Sequence, residues 1–140
     1  MKYFCRGGCV RIVVIDDDPL FLRLIGKAFE VECPDAVVLS APGISRALDV
    51  LQQLKKQGLL PDLIVVDSAL GDGSGLRLLD SLRADDRLAE VPAVIVTAGL
   101  DNAIRAEAES AGAVGCYQKP AGFDRLVELA GELITLTGRW

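Results

Sequence analysis

The chain has 140 residues, a net charge of −5 and an apolar fraction of 51%, which fits one globular domain with a core of its own. Its densest basic pair is Lys55-Lys56, so the basic patch expected of a protein that binds nucleic-acid phosphate is missing. Histidine is absent and the four cysteines form no CxxC pair, which excludes the usual structural zinc sets.

Cys5 and Cys9 lie near the start, while Cys33 and Cys116 are isolated; all four read as free thiols of a reducing compartment. The stretch from Met1 to Gly8 begins with a lysine but has no continuous apolar segment of the signal-peptide kind. No apolar run approaches the roughly 18 residues of a membrane span. The expected location is the cytoplasm, with no membrane partner.

Apolar runs alternate with amphipathic ones along the whole chain. Residues 11–15 are a β-branched run stopped by Asp16-Asp17-Asp18-Pro19, and proline is well tolerated at a helix start. Leu20, Leu24, Ile25, Ala28 and Phe29 then recur at helical spacing until Pro34-Asp35. A second strand is expected over 36–39. Pro42-Gly43 opens a second helix with the stripe Ile44, Leu48, Leu51 and Leu54, ended by Gly58.

A third strand, 63–66, runs into Asp67 and the glycine-rich segment 71–75. The segment lacks the Gly-Lys-Ser/Thr ending of a phosphate-cradling loop and reads as a flexible connection. A helix follows over 76–84. A fourth strand, 93–96, ends at Thr97, an alanine-rich helix covers 101–111, a short fifth strand covers 113–117, and Lys119-Pro120 precedes a last helix over 123–136.

The pattern is strand then helix, five times. The strands are continuous apolar runs, as expected of a parallel sheet covered by helices on both faces. In such open sheets ligands bind outside the carboxyl ends of the strands. Those ends carry Asp16, Asp17 and Asp18, then Asp67, Thr97 and Lys119. Crowded carboxylates repel one another, and a hard divalent cation with oxygen preference relieves the repulsion. Mg2+ together with a phosphoryl group is the expected occupant: a carboxylate accepts a phosphoryl group covalently, and a lysine balances its charge. Asp18, the surplus acid, is expected to cap the first helix.

Val14-Ile15-Asp16-Asp17-Asp18-Pro19, Asp62-Leu63-Ile64-Val65-Val66-Asp67, Val94-Ile95-Val96-Thr97-Ala98 and the stretch from Ala111-Gly112-Ala113 to Lys119-Pro120 occur in one order and spacing. Taken together they resemble the receiver domains of two-component response regulators. The resemblance implies a flavodoxin-like doubly wound α/β sandwich of five parallel strands in the order 2-1-3-4-5. It implies domain bounds of 11–137, with an N-terminal extension over 1–10 and a tail over 138–140.

It further implies that Asp67 takes a phosphoryl group from a histidine kinase or phosphotransfer protein, and that Thr97 and Lys119 contact that group. Asp16, Asp17, Asp67 and the backbone carbonyl of Ala69 are then the ligands of Mg2+, for which Mn2+ substitutes. The Lys119–Pro120 bond is often cis in the family. A downstream target or an output domain on a longer chain is the implied partner, and helix 4, strand 5 and helix 5 the implied partner and homodimer face. Such a module is not a turnover enzyme.

The sequence also departs from the family. Cys116 stands where a tyrosine or phenylalanine is usual, and Tyr117, one residue later, should point to the opposite face. Ala69 and Gly99 replace residues that tune hydrolysis of the phosphoryl group, so slow loss of phosphate is expected. Gly71 replaces a common proline, and Ala121 a common phenylalanine. Two other functions share parts of this pattern: an aspartyl-phosphate hydrolase of the haloacid-dehalogenase type, disfavoured because Ala69 stands where it needs a second aspartate as general acid, and a pseudo-receiver that only binds proteins.

Overall fold

A computed structural model describes residues 9–138. Cys5, most of the expected extension and the last two residues of the expected tail lie outside the described residues.

Five parallel strands form the central sheet: β1 (Arg11–Ile15), β2 (Val37–Ala41), β3 (Leu63–Val66), β4 (Ala93–Thr97) and β5 (Gly115–Gln118). Their spatial order is β2-β1-β3-β4-β5, the flavodoxin-like order expected. Each strand is followed by a helix: α1 (Pro19–Glu32), α2 (Ile44–Lys56), α3 (Gly75–Arg83), α4 (Asn102–Ser110) and α5 (Phe123–Thr135). Among the described residues no helix is long and apolar enough to cross a membrane.

Strand alternation divides the core in two. Ile12, Val14, Leu63, Val65, Val94 and Val96 face α1 and α5, where they pack on Ile25, Phe29, Leu133 and Ile134. Val13, Ile15, Ile64, Val66 and Ile95 face the other way, toward Leu51 of α2, Leu78 and Leu79 of α3 and Ala108 of α4. Every residue of β3 and β4 is buried, as expected of interior strands covered on both faces.

The edge strands are where the sequence bounds slipped. β2 lies at 37–41 rather than 36–39 and β5 at 115–118 rather than 113–117. Edge strands are less apolar, and their bounds are set by pairing: Val14 faces Ser40 and Ile15 faces Ala41. The helix stripes differ from expectation at one position each. Leu20 is 57% exposed and Leu48 is 37% exposed, while Phe21 and Ala47 are buried in their place. The rest of the two stripes holds: Ile25, Ala28 and Phe29 of α1 and Leu51 and Leu54 of α2 are buried as expected.

The glycine-rich segment is not a free loop. Ala69–Leu70 pairs antiparallel with Gly73–Ser74, and Asp72 accepts hydrogen bonds from the backbone N–H of Ile44 (2.9 Å) and Ser45 (3.1 Å). Gly43, at the N-terminus of α2, carries no side-chain cap, so Asp72 caps that helix from another loop. A Cβ on Gly43 would lie 2.8 Å from the Asp72 carboxylate.

Candidate functional site

The ladders continue past the strands into the polar residues at their ends. Asp16 N–H donates to Ala41 O (3.0 Å), Asp67 N–H to Ile15 O (3.0 Å) and Lys119 N–H to Thr97 O (2.8 Å). The backbones of Asp16, Asp67 and Lys119 are thereby fixed by the sheet, and their side chains emerge at one edge.

Carboxylate oxygens of Asp16, Asp17 and Asp67 all lie within 4.8 Å of one another. Asp16 and Asp67 are buried, at 1% and 8% exposure, and Asp17 is exposed. Lys119 Nζ sits 2.8 Å from Asp16 Oδ2 and 3.2 Å from Asp67 Oδ2, and 4.4 Å above the ring of Phe21. Asp18 is turned away from this group and accepts from Leu20 N–H at 3.0 Å as the cap of α1, the role expected of it.

One ammonium thus pairs with two of the three carboxyl groups. Burial raises the Asp16 carboxyl above the ordinary carboxylate value, against the lowering effects of Lys119 and the Asp18 N–H; the Asp67 charge adds to the rise. Burial by itself would lower the Lys119 ammonium, but its pairing with Asp16 and Asp67 outweighs this and raises it. Asp16 Oδ1 accepts from Asp18 N–H at 2.9 Å. Asp16 Oδ2 is buried, and its close charged neighbour is the Lys119 ammonium at 2.8 Å, with which it forms an ion pair. A buried oxygen in that condition, beside two further carboxylates, fits a hard divalent cation such as Mg2+.

Thr97, 4% exposed, shares a hydrogen bond with Ser68 at 2.8 Å between their hydroxyl oxygens. Sequence reasoning missed Ser68; its only signal was its place next to Asp67. Ala69 N–H donates to Asp67 Oδ1 at 3.3 Å, and Ala69 itself lies in the short hairpin ladder. Gly71 lies beside the cluster: a Cβ there would make an ordinary van der Waals contact, 3.5 Å, with Asp17 Oδ2.

Cys116 packs toward α2, α3 and α4, whereas Tyr117 packs on the α1 and α5 side, as strand alternation predicts. The Lys119–Pro120 bond is trans, since the described residues contain no cis peptide; this corrects the cis form that the resemblance suggested, and trans is the intrinsically favoured form of such a bond. Gln118 was also missed. Its side chain donates to Ala98 O and accepts from Leu100 N–H at 3.1 Å.

Residues 12–130 match the family described as the response regulator receiver domain. A DNA-binding dual master transcriptional regulator, RpaA of Synechocystis sp., is 28% identical over 92% of this chain, which spans 51% of that relative. The acid tolerance regulatory protein ActR of Sinorhizobium medicae is 30% identical over 88% of this chain, which spans 61% of it. The chain therefore covers about half to three-fifths of these two relatives. Among solved structures, the phosphorylated cyanobacterial phytochrome response regulator RcpA has a TM-score of 0.81 at 20% identity, covering 89% of this chain and 91% of that one. A response regulator in its Mn2+-bound form has a TM-score of 0.73 at 17% identity, covering 90% and 92%. These structures share the fold.

Proposed function

The chain belongs to the response regulator receiver family, and on that premise we propose that it is a phosphorylation switch whose acceptor is Asp67. Receiver domains are signalling modules. The observation that carries the assignment is the position of Asp67: buried at the sheet edge, grouped with Asp16 and Asp17 within 4.8 Å, and 3.2 Å from Lys119 Nζ.

The donor is the phosphohistidine of a sensor kinase or phosphotransfer protein. A carboxylate oxygen of Asp67 forms the new bond to phosphorus as the phosphorus–nitrogen bond breaks. The imidazole nitrogen leaves with the bonding pair and takes up a proton. Asp16, Asp17, Asp67 and the carbonyl of Ala69 are the residues that would hold Mg2+, which supplies neutralising charge to the phosphoryl oxygens. Lys119 places its ammonium against the same charge, and the Thr97 hydroxyl exchanges Ser68 for a phosphoryl oxygen. The net charge of −5 and the lack of a basic run argue against nucleic-acid binding by this segment itself.

The test is incubation with acetyl phosphate and Mg2+, followed by intact mass of wild type and Asp67→Asn. One phosphoryl adduct in wild type, absent in Asp67→Asn, is expected. No adduct under any condition overturns the proposal in favour of a pure protein-interaction module, and multiple turnover of a phosphate ester overturns it in favour of a hydrolase.

A further inference from the structure

The loop between β4 and α4, residues 98–101, joins Thr97 to the Asp101 cap of α4. Ala98, Gly99 and Asp101 are exposed, and a Cβ added at Gly99 would meet nothing within 4 Å. The loop has little packing to hold it. Its tie to the sheet is the Gln118 amide, whose Nε2 donates to Ala98 O and whose Oε1 accepts from Leu100 N–H. The two halves of one planar amide match one acceptor and one donor of the loop backbone, which fixes the loop in position and in orientation.

Gln118 stands where it can sense the site. It faces Thr97 across the β4–β5 ladder, and the next residue, Lys119, donates its backbone N–H to Thr97 O and holds its ammonium against Asp16 and Asp67. The clamp exists together with the Thr97–Ser68 hydrogen bond. Moving Thr97 toward Asp67, or drawing Lys119 onto a new charge, displaces the two residues that flank the clamp. Cys116, two residues earlier and on the same side of the sheet, packs against the α2–α4 core and has no side chain long enough to span to the loop.

We propose that Gln118 is a positioning residue that couples events at Asp67 to the β4–α4 loop, its amide clamp holding the loop in the arrangement of the unmodified protein. The proposal rests on the reading of Asp67 as phosphoacceptor. A contact made in one state and broken in the other shifts the population between them, so loss of the clamp favours the phosphorylated arrangement. With each exposed hydrogen bond contributing modestly, the shift amounts to roughly three- to tenfold.

Beryllofluoride with Mg2+, a phosphoryl mimic, is titrated into wild type and Gln118→Ala while backbone amides are followed by NMR, and amide hydrogen exchange at Leu100 is measured in both unmodified proteins. Tighter apparent binding by Gln118→Ala, with faster exchange at Leu100, is the expected result. Gln118→Glu keeps the acceptor for Leu100 N–H but loses the donor to Ala98 O, so it should retain most of the Leu100 protection and bind the mimic with intermediate affinity. A residue with a merely structural role would alter stability without altering mimic affinity. Equal affinity in wild type and Gln118→Ala, with Leu100 exchange unchanged, overturns the coupling role and leaves the acceptor assignment intact. Failure of wild type itself to bind the mimic overturns the acceptor reading, and the coupling role with it.

Discussion

Lys119 Nζ lies closer to Asp16 Oδ2, at 2.8 Å, than to Asp67 Oδ2, at 3.2 Å. The lysine therefore counters the most deeply buried charge of the cluster before any phosphoryl group arrives. Breaking a buried pair by removing one partner leaves the other charge uncompensated. Lys119→Met should lower stability by about 1–3 kcal/mol in the absence of divalent cation. Mg2+ should restore more of the loss in the variant than it adds to wild type, because the cation replaces the missing charge. Urea unfolding in EDTA and in Mg2+ checks this; an unchanged midpoint in EDTA would show that the ammonium stabilises nothing.

Ala69 and Gly99 flank the site without a polar side chain. Neither orients a water for attack on an Asp67 phosphoryl group, so self-dephosphorylation should be slow. Ala69→Asn should speed it by roughly tenfold or more by supplying a hydrogen-bonding group. Decay of the phosphorylated mass after removal of acetyl phosphate measures both. A half-life of seconds in the wild-type protein refutes the expectation.

Gly75 opens α3, and its backbone meets that of Asp67. An added Cβ would stand 1.9 Å from Asp67 O and 2.7 Å from Val66 Cγ1, and neither a strand carbonyl nor a buried valine has room to retreat. Gly75→Ala should cost about 1–3 kcal/mol and slow phosphorylation by displacing Asp67. Gly99→Ala, with open space around it, is the control and should leave stability within about 0.5 kcal/mol. Equal unfolding midpoints for the two variants contradict the close approach.

Acid should unfold the protein partly through two carboxylates that are not members of the Asp16–Asp17–Asp67 cluster. The Lys55 ammonium, 2.8 Å from Asp85 Oδ2, and the N–H groups of Leu88 and Arg87 hold the Asp85 carboxyl down at about 2. The N–H groups of Ile44 and Ser45 lower Asp72. A carboxyl depressed on folding adds stability that is fully present above its unfolded value of ~3.9, and the addition disappears as the pH falls through the folded value. Wild type should therefore lose more stability between about pH 4 and about pH 2 than Asp85→Asn, while being the more stable of the two at neutral pH. Urea midpoints measured across that window decide it, and parallel curves would exclude Asp85 as a contributor.

Interior elements were more legible in the sequence than edge elements. The reading of β3 as 63–66 coincides with the observed strand because that strand is apolar on both faces. β2 and β5 drifted because, at the sheet margins, hydrogen-bond pairing decides the bounds. Among the acids, Asp18 was separable from Asp16 and Asp17 because capping is local: its carboxylate reaches a backbone N–H two residues away. Ser68 and Gln118 escaped notice because their partners, Thr97 for one and Ala98 and Leu100 for the other, are remote in the chain. Neither serine nor glutamine carries a pattern that announces such a contact.

Taken alone, the sequence determined the alternation of five strands and five helices and the polar residue at each strand end, because periodicity and helix breakers act over a few residues. Only the tertiary structure decided that Asp16, Asp17 and Asp67 meet within 4.8 Å, that Lys119 leans toward Asp16, and that Asp72 caps a helix from a neighbouring loop. Those relations depend on the parallel register that sets Ile15 beside Val66 and Thr97 beside Gln118. Register is a property of strands packed together, fixed by burying both faces of the sheet at once, and no single segment contains it.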